Sequence, residues 1–308
     1  MTALALTLRG VQKAYGKTRA LCGLDLEVPR GALVGLIGPN GAGKTTTFGI
    51  VGGTVRADAG QVDVLGGGPF DSTRHAGRVG LLPQDSELNP HTPVRDLLRF
   101  FARLQGLGRR DATVEADRVL ALVDLRDRAT SRIRQLSHGM RRRVAVAQAL
   151  LGSPELVLLD EPTCGLDPDL VVRMRELLAR ERGRRTLVVS SHVLADLEAI
   201  CDHVVFLEAG RVTHAGPIAE VTGRGELVRY VLDGPPPLEA LRTALPEIVA
   251  EADGASLLVR VPAGQDVATL NERLVPWLFE AGARLLEIRR GRSLESAYME
   301  RRESAGVA

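Results

Sequence analysis

Apolar residues recur along the chain in two rhythms. Compact aliphatic runs occupy Ala32–Ile37, Leu156–Leu159 and Thr186–Ser191, and unbroken runs of this length suit parallel strands covered on both faces. Between them, apolar positions three and four apart predict helices. One spans 92–108, with Thr92 as its N-cap and Val94, Leu97, Leu98, Phe101 and Leu104 on one face. Others fit 113–125, Met140–Leu151 and Pro168–Arg180. Strands alternating with helices imply a parallel α/β core. Ahead of it, Ala3–Leu8, Gly10–Tyr15 and Leu24–Val28 read as short strands, the last closed by Pro29-Arg30-Gly31.

The rhythm changes after Thr222-Gly223-Arg224-Gly225. A strand over Leu227–Leu232, a Gly234-Pro235-Pro236-Pro237 turn and a helix over Leu238–Leu245 come first. Two strands flanking Asp253-Gly254 read as a hairpin. A helix over Val267–Ala281, a strand over Arg284–Ile288 and a helix over Ser293–Arg301 complete the chain. The order βαββαβ suits a small α+β, ferredoxin-like domain. Domains are therefore expected at 1–222 and 226–308, which agrees with 308 residues at about 150 per domain.

Composition narrows the function classes. Lys and Arg total 40 against 38 acidic residues, so no net-charge argument favours nucleic acid, and none is expected as a partner. Only 6 Phe, 3 Tyr and 1 Trp are present, too few for a platform that stacks single-stranded bases. Lys occurs only at Lys13, Lys17 and Lys44, which draws attention to each. Cys22, Cys164 and Cys201 stand far apart, without a C-x-x-C pair, giving neither a disulfide scaffold nor zinc spacing and suggesting a reducing cytosol. The N-terminal segment has no signal-peptide pattern, and no stretch approaches roughly 18 uninterrupted apolar residues.

The strongest chemical signal follows the Ala32–Ile37 strand. Gly38-Pro39-Asn40-Gly41-Ala42-Gly43-Lys44-Thr45 is a complete phosphate loop, with Thr46 and Thr47 continuing into a helix. Glycines let backbone N–H groups curl around phosphate oxygens, and the helix N-terminus adds its positive dipole end. Lys44 brings a compact charge to the terminal phosphates, and Thr45 a hydroxyl for Mg2+. Asp160 and Glu161 end the Leu156–Leu159 strand. The first suits Mg2+ and the second suits the attacking water.

Further motifs follow in order. Gln84 stands in Leu82-Pro83-Gln84-Asp85, and Leu136-Ser137-His138-Gly139-Met140 precedes a helix. Gly165-Leu166-Asp167-Pro168 comes next, and His192 follows Ser190-Ser191. With the phosphate loop, these motifs resemble the ATP-binding subunit of an ABC transporter over about residues 3–222. The resemblance implies a P-loop ATPase fold with a helical subdomain, and ATP and Mg2+ as cofactors. In it, Gln84 is the Q-loop glutamine and a metal ligand beside Thr45 and Asp160. Glu161 and His192 are catalytic, Asp167 belongs to the D-loop, and Tyr15 stacks on adenine. Ser137, His138, Gly139 and Met140 form the signature, which faces the ATP of a second subunit in a homodimer.

The signature departs from the family's LSGGQ, because His138 replaces a glycine and Met140 a glutamine. Gly139 is retained, so close backbone approach stays open. His138 reads as solvent-facing or locally packed; the sharper alternative is a protonatable group near the phosphates. Cys164 reads as a small buried filler. Arg141-Arg142-Arg143 reads as a solvated or locally paired helix face, except that Arg143 matches a basic position of the family.

The resemblance also implies a separate membrane permease docked around residues 84–108, at the cytoplasmic face of the membrane. The tail and Thr45-Thr46-Thr47 resemble the drug-export-like subfamily, which makes export the expected direction. The tail itself offers no chemical motif and reads as dimer support or permease contact. Two alternatives stay open: a soluble ABC ATPase without a membrane partner, and a regulatory protein that binds ATP without hydrolysing it. The intact Glu161 and His192 oppose the second.

Overall fold

A computed structural model of the protein describes residues 3–223, 226–262 and 265–304. In chain order the first part runs β1 (Leu4–Tyr15), β2 (Thr18–Pro29), β3 (Leu33–Ile37), α1 (Lys44–Val51), β4 (Ala59–Val64) and β5 (Val79–Leu82). It continues with α2 (Val94–Leu104), α3 (Arg109–Leu122), α4 (His138–Ala149), β6 (Leu156–Asp160) and α5 (Pro168–Glu181). Then come β7 (Thr186–Ser190), α6 (Leu194–Ile200), β8 (His203–Glu208) and β9 (Arg211–Pro217). The fold divides into two compact units, Met1–Gly216 and Pro217–Ala308.

The first unit is organised by a six-stranded sheet in the order β5-β6-β7-β3-β8-β9. Every residue of β3, β6 and β7 is buried, as strands covered on both faces require. Neighbours from β5 to β8 run parallel, so their carboxyl ends open onto one edge, where α/β folds place ligands. Asp160 at the end of β6 lies opposite Ser190 at the end of β7. A smaller antiparallel sheet, β2-β1-β4, packs its apolar side into the same core through Leu6, Leu8, Leu24, Leu26 and Val64.

The structure differs from the sequence expectation in instructive places. Ala3–Leu8 and Gly10–Tyr15 are one strand, because the register shift between Leu8 and Val11 absorbs Gly10 as a bulge. The Gly10 N–H, freed from the ladder, donates to Asp25 Oδ1 at 2.7 Å. Helix α2 starts at Val94 with Pro93 as N-cap. Thr92 is not the cap: its carbonyl accepts the Ile133 N–H at 3.1 Å, and Pro93 bridges Arg132, which keeps this segment extended. Val94, Leu97, Leu98 and Ala102 are buried, whereas Leu104 is 66% exposed. At about 100° per residue it falls on the flank of the apolar stripe. Helix α4 begins at His138 rather than Met140, because the Ser137 hydroxyl caps it by accepting the Met140 N–H at 3.2 Å. Helix α3 begins at Arg109, with Gly108 as N-cap, ahead of the expected 113. Strands β4, β5, β8 and β9 and helix α6 had no counterpart in the sequence reading.

The second unit contains α7 (Ile218–Val221), β10 (Leu227–Leu232), α8 (Leu238–Ala244), β11 (Ala250–Asp253), β12 (Ser256–Arg260), α9 (Val267–Glu280), β13 (Leu285–Arg290) and α10 (Leu294–Ser304). Its sheet has the order β11-β12-β10-β13 with antiparallel neighbours. Leu241 of α8 and Leu270, Leu274 and Leu278 of α9 share a core with Val228, Tyr230, Leu257 and Val259 of the sheet. The tightest hairpin pairs Asp253 with Ser256, so Gly254 and Ala255 form the turn, one residue beyond the expected pair. Thr222 is fully buried and bonds the Ile218 carbonyl at 2.7 Å. The expected boundary residues Arg224 and Gly225 lie outside the described residues.

Candidate functional site

The loop between β3 and α1 is shaped from behind. A Cβ on Gly38 would stand 2.2 Å from the Leu207 carbonyl oxygen of β8. Gly43 caps α1 with φ of 110° and ψ of 5°, and a Cβ there would meet the Ala20 carbonyl oxygen at 2.7 Å. Only glycine meets both demands. Lys44, 8% exposed, folds back so that its ammonium donates to the Gly38 carbonyl at 2.6 Å and the Pro39 carbonyl at 3.2 Å. Burial lowers its pKa, opposed by the nearby charges of Glu161 and Asp160.

The ends of β6 and β7 supply the acids. Asp160, 1% exposed, accepts from Thr45 Oγ1 at 2.7 Å through one oxygen and from Ser190 Oγ at 2.5 Å through the other. Thr45 Oγ1 also lies 3.4 Å from Gln84 Oε1. Glu161 has φ of 54°, an uncommon conformation for a residue with a side chain. Its N–H donates to Ser190 Oγ at 2.9 Å. Its Oε2 is 2.7 Å from His192 Nδ1 and accepts the His192 N–H at 3.4 Å.

Lys44 and the groups at the ends of β6 and β7, Ser190 excepted, line one cavity of about 860 Å³. Of the residues expected to bind nucleotide, Tyr15, Asn40, Gly41, Gly43, Lys44, Thr45 and Thr46 line it, with Gln84, Asp160, Glu161 and His192. Gly38, Pro39 and Ala42 form the back of the loop instead: Ala42 is buried, and its N–H donates to the Pro39 carbonyl at 3.1 Å. Tyr15 is 51% exposed, and the Lys13 ammonium sits 5.5 Å from its ring centroid. Of the signature residues, His138 lines the cavity, and Ser137, Gly139 and Met140 do not. The His138 ring lies against Gly165, where a Cβ would come within 2.6 Å of Cδ2. Asp167 is the exposed N-cap of α5 and lies outside the cavity.

Two readings of the sequence are corrected. Arg142 is 7% exposed and is neither solvated nor paired within its own helix; Arg141 is exposed, and Arg143, set apart as a basic position of the family, is 8% exposed. Arg142 donates to the carbonyls of Gln84 at 3.0 Å, Glu161 at 2.9 Å and Pro83 at 3.4 Å, and closely to that of Asp160. Arg143 donates to the carbonyls of Val123 at 2.9 Å and Asp124 at 3.1 Å. Loop carbonyls thus take the place of water at the Nη atoms of both arginines, while the buried Nε of each has no hydrogen-bond partner among the described residues. Cys164 is exposed and lines the cavity rather than filling a core. The sequence reading also passed over Thr18, Ala20, Asp85 and Arg142 as cavity residues and Ser190 as a tether. Only Ser190 had a signal, its place before His192 at a strand end.

The oxygen donors of Thr45, Asp160 and Gln84 converge within hydrogen-bond reach, a donor set that fits Mg2+ completed by substrate phosphates. Among the described residues no cluster of three His, Cys, Asp or Glu side chains offers a metal cage.

A family model described as ABC transporter matches residues 21–164. Over 292 residues the chain is 36% identical to daunorubicin resistance ATP-binding protein DrrA3 of Streptomyces coeruleorubidus, covering 92% of this chain and 90% of that one. The chain belongs to the ABC transporter family, as one of its ATP-binding proteins. It is 37% identical over 216 residues to the Nod factor export ATP-binding protein I of Burkholderia orbicola, covering 68% of this chain and 70% of the relative. A solved ATP-binding subunit of an ABC transporter superposes with a TM-score of 0.64 at 26% identity, over 72% of this chain and 93% of that one. A dimeric cassette bound to ADP and phosphate shares the fold, with a TM-score of 0.64 at 24% identity over 69% of this chain and 98% of that one. The ABC protein described here is accordingly an ATPase of the drug-export-like group. Among its described residues no helix is long and apolar enough to cross a membrane.

Proposed function

We propose that this protein powers export through a separate membrane permease, working as a homodimer at the cytoplasmic face of the membrane. The observation that carries the reading is the meeting of Thr45, Asp160 and Gln84 beside the Glu161–His192 pair in one cavity. Loop amides and Lys44 bind the phosphates of ATP, and Tyr15 stacks on the adenine. Thr45, Asp160 and Gln84 hold Mg2+, which supplies charge neutralisation at the phosphates. Glu161 takes a proton from the attacking water, and His192 orients that carboxylate and reaches the γ-phosphate. Ser137, His138, Gly139 and Met140 meet the nucleotide of the second subunit, with the N-terminus of α4 as the anion site. Asp167 lies at the D-loop between the two sites. Nucleotide then joins two subunits, and hydrolysis releases them.

The export reading draws support from relatives named for drug resistance and Nod factor export. In the second unit the order βαββαβ and its sheet suit a ferredoxin-like accessory domain. Mg2+-dependent phosphate release by wild type and Glu161→Gln, with sedimentation in saturating ATP, tests the proposal. Turnover that stops without metal or in Glu161→Gln, with dimer accumulating in the variant, supports it. A variant that hydrolyses at the wild-type rate, or stays monomeric with its permease present, overturns it.

A further inference from the structure

Glu161 holds an unfavourable backbone conformation, φ of 54°, at the residue whose carboxylate must face water. Its surroundings hold that conformation from three sides. The N–H is tied to Ser190 Oγ at 2.9 Å, the side chain to His192 Nδ1 at 2.7 Å, and the carbonyl to Arg142 at 2.9 Å. Arg142 is the unusual member. It comes from α4, the helix that starts at the signature, and it is 7% exposed. Its Nη1 donates to the carbonyls of Pro83 and Gln84, just past the end of β5, and its Nη2 to those of Asp160 and Glu161, at the end of β6. One planar fork thus joins the backbone of Gln84, the metal-side residue Asp160 and the base Glu161. Lysine, a point charge on a flexible stem, cannot span the same set of carbonyls.

We infer that Arg142 is a positioning residue for ATP hydrolysis, through which helix α4 fixes the backbone of Glu161 and Gln84 in the same chain. The inference rests on the catalytic reading of Glu161 given above and adds regulation of that site. The N-cap Ser137 and Arg142 sit on one short helical segment, so a displacement of its N-terminus by a nucleotide moves the guanidinium against the base-bearing loop. A neighbour supplies the contrast. Arg143 is equally buried on the same helix, but donates to the carbonyls of Val123 and Asp124, away from the cavity.

The test compares Arg142→Gln, Arg142→Lys, Arg143→Gln and Glu161→Gln by thermal unfolding and by steady-state hydrolysis. Folded Arg142→Gln is expected to lose about tenfold or more in kcat, with the KM for ATP within about twofold, because misplacing a base by a fraction of an ångström slows chemistry without weakening binding. Arg142→Lys is expected to lose less, also in kcat alone. Arg143→Gln is expected to lower the unfolding temperature and keep kcat. Wild-type kcat in folded Arg142→Gln overturns the inference, as does an equal loss in Arg143→Gln. Should Arg142→Gln not fold, Arg142→Lys decides by the same criterion. Glu161→Gln separates the two levels: full turnover in it removes the base assignment, whereas wild-type kcat in the Arg142 variants beside an inactive Glu161→Gln removes only the role of Arg142.

Discussion

Each unit of the chain buries an aliphatic core, but the two spend their polar groups differently. In Met1–Gly216, parallel strands β3, β6 and β7 all end at one edge, and there Lys44, Thr45, Asp160, Glu161 and His192 face a shared cavity. In Pro217–Ala308, the antiparallel sheet sends alternate strand ends in opposite directions. Among the described residues its polar groups pair with one another and line no site of this kind: Tyr230 donates to Asn271 at 2.6 Å, and Arg229 reaches both Asp253 and Ser296 through Nη2. A packed core is common to both units. Chemistry gathers where strand direction brings several carboxyl ends together.

That contrast can be broken experimentally, starting with Glu161, the proposed base. Glu161→Gln should lower phosphate release about a thousandfold; a normal rate would move the chemistry elsewhere. Next, Leu274→Ala should cost the second unit about 3 kcal/mol, seen as an earlier calorimetric transition, while kcat stays put. A matching fall in kcat would tie turnover to the second core. Lys44→Ala should lower kcat/KM about a hundredfold, as loss of a phosphate-directed charge does; unchanged kinetics would count against the loop. Tyr15→Ala should raise the KM for ATP about tenfold, the worth of one stacked base, and a competition assay with GTP would show whether the ring selects the nucleobase. The smallest effect belongs to Tyr230→Phe, which should cost about 1 kcal/mol by leaving Asn271 without its donor. Hydrolysis of that variant should match wild type.

Much of the first unit was legible because its chemistry is written in contiguous residues. The phosphate loop, the strand ending in Asp160 and Glu161 and the strand before His192 each carry a local pattern. Strand β4, with its sequence Ala-Gly-Gln-Val-Asp-Val, carries little apolar signal and is mostly exposed or half-exposed; its pairing with β1 makes it a strand. Strand β8 is almost entirely buried, yet it was passed over because no chemical motif drew attention to its run. Arg142 misled for another reason. Charge on the first turns of a helix predicts solvent or a local partner, but Arg142 finds backbone carbonyls supplied by loops distant in sequence, which only the tertiary fold brings near. Cys164 likewise reads as core by composition and lies exposed because the loop before α5 turns it toward the cavity.

The contact between Gly38 and the Leu207 carbonyl has a consequence for design. The octapeptide that begins at Gly38 is moulded by a strand that arrives some 170 residues later along the chain, so copying the octapeptide into another scaffold would transfer its spelling without its mould. Because the mould is a backbone carbonyl, a recipient scaffold must reproduce the path of β8 past the loop rather than the side chains of that strand.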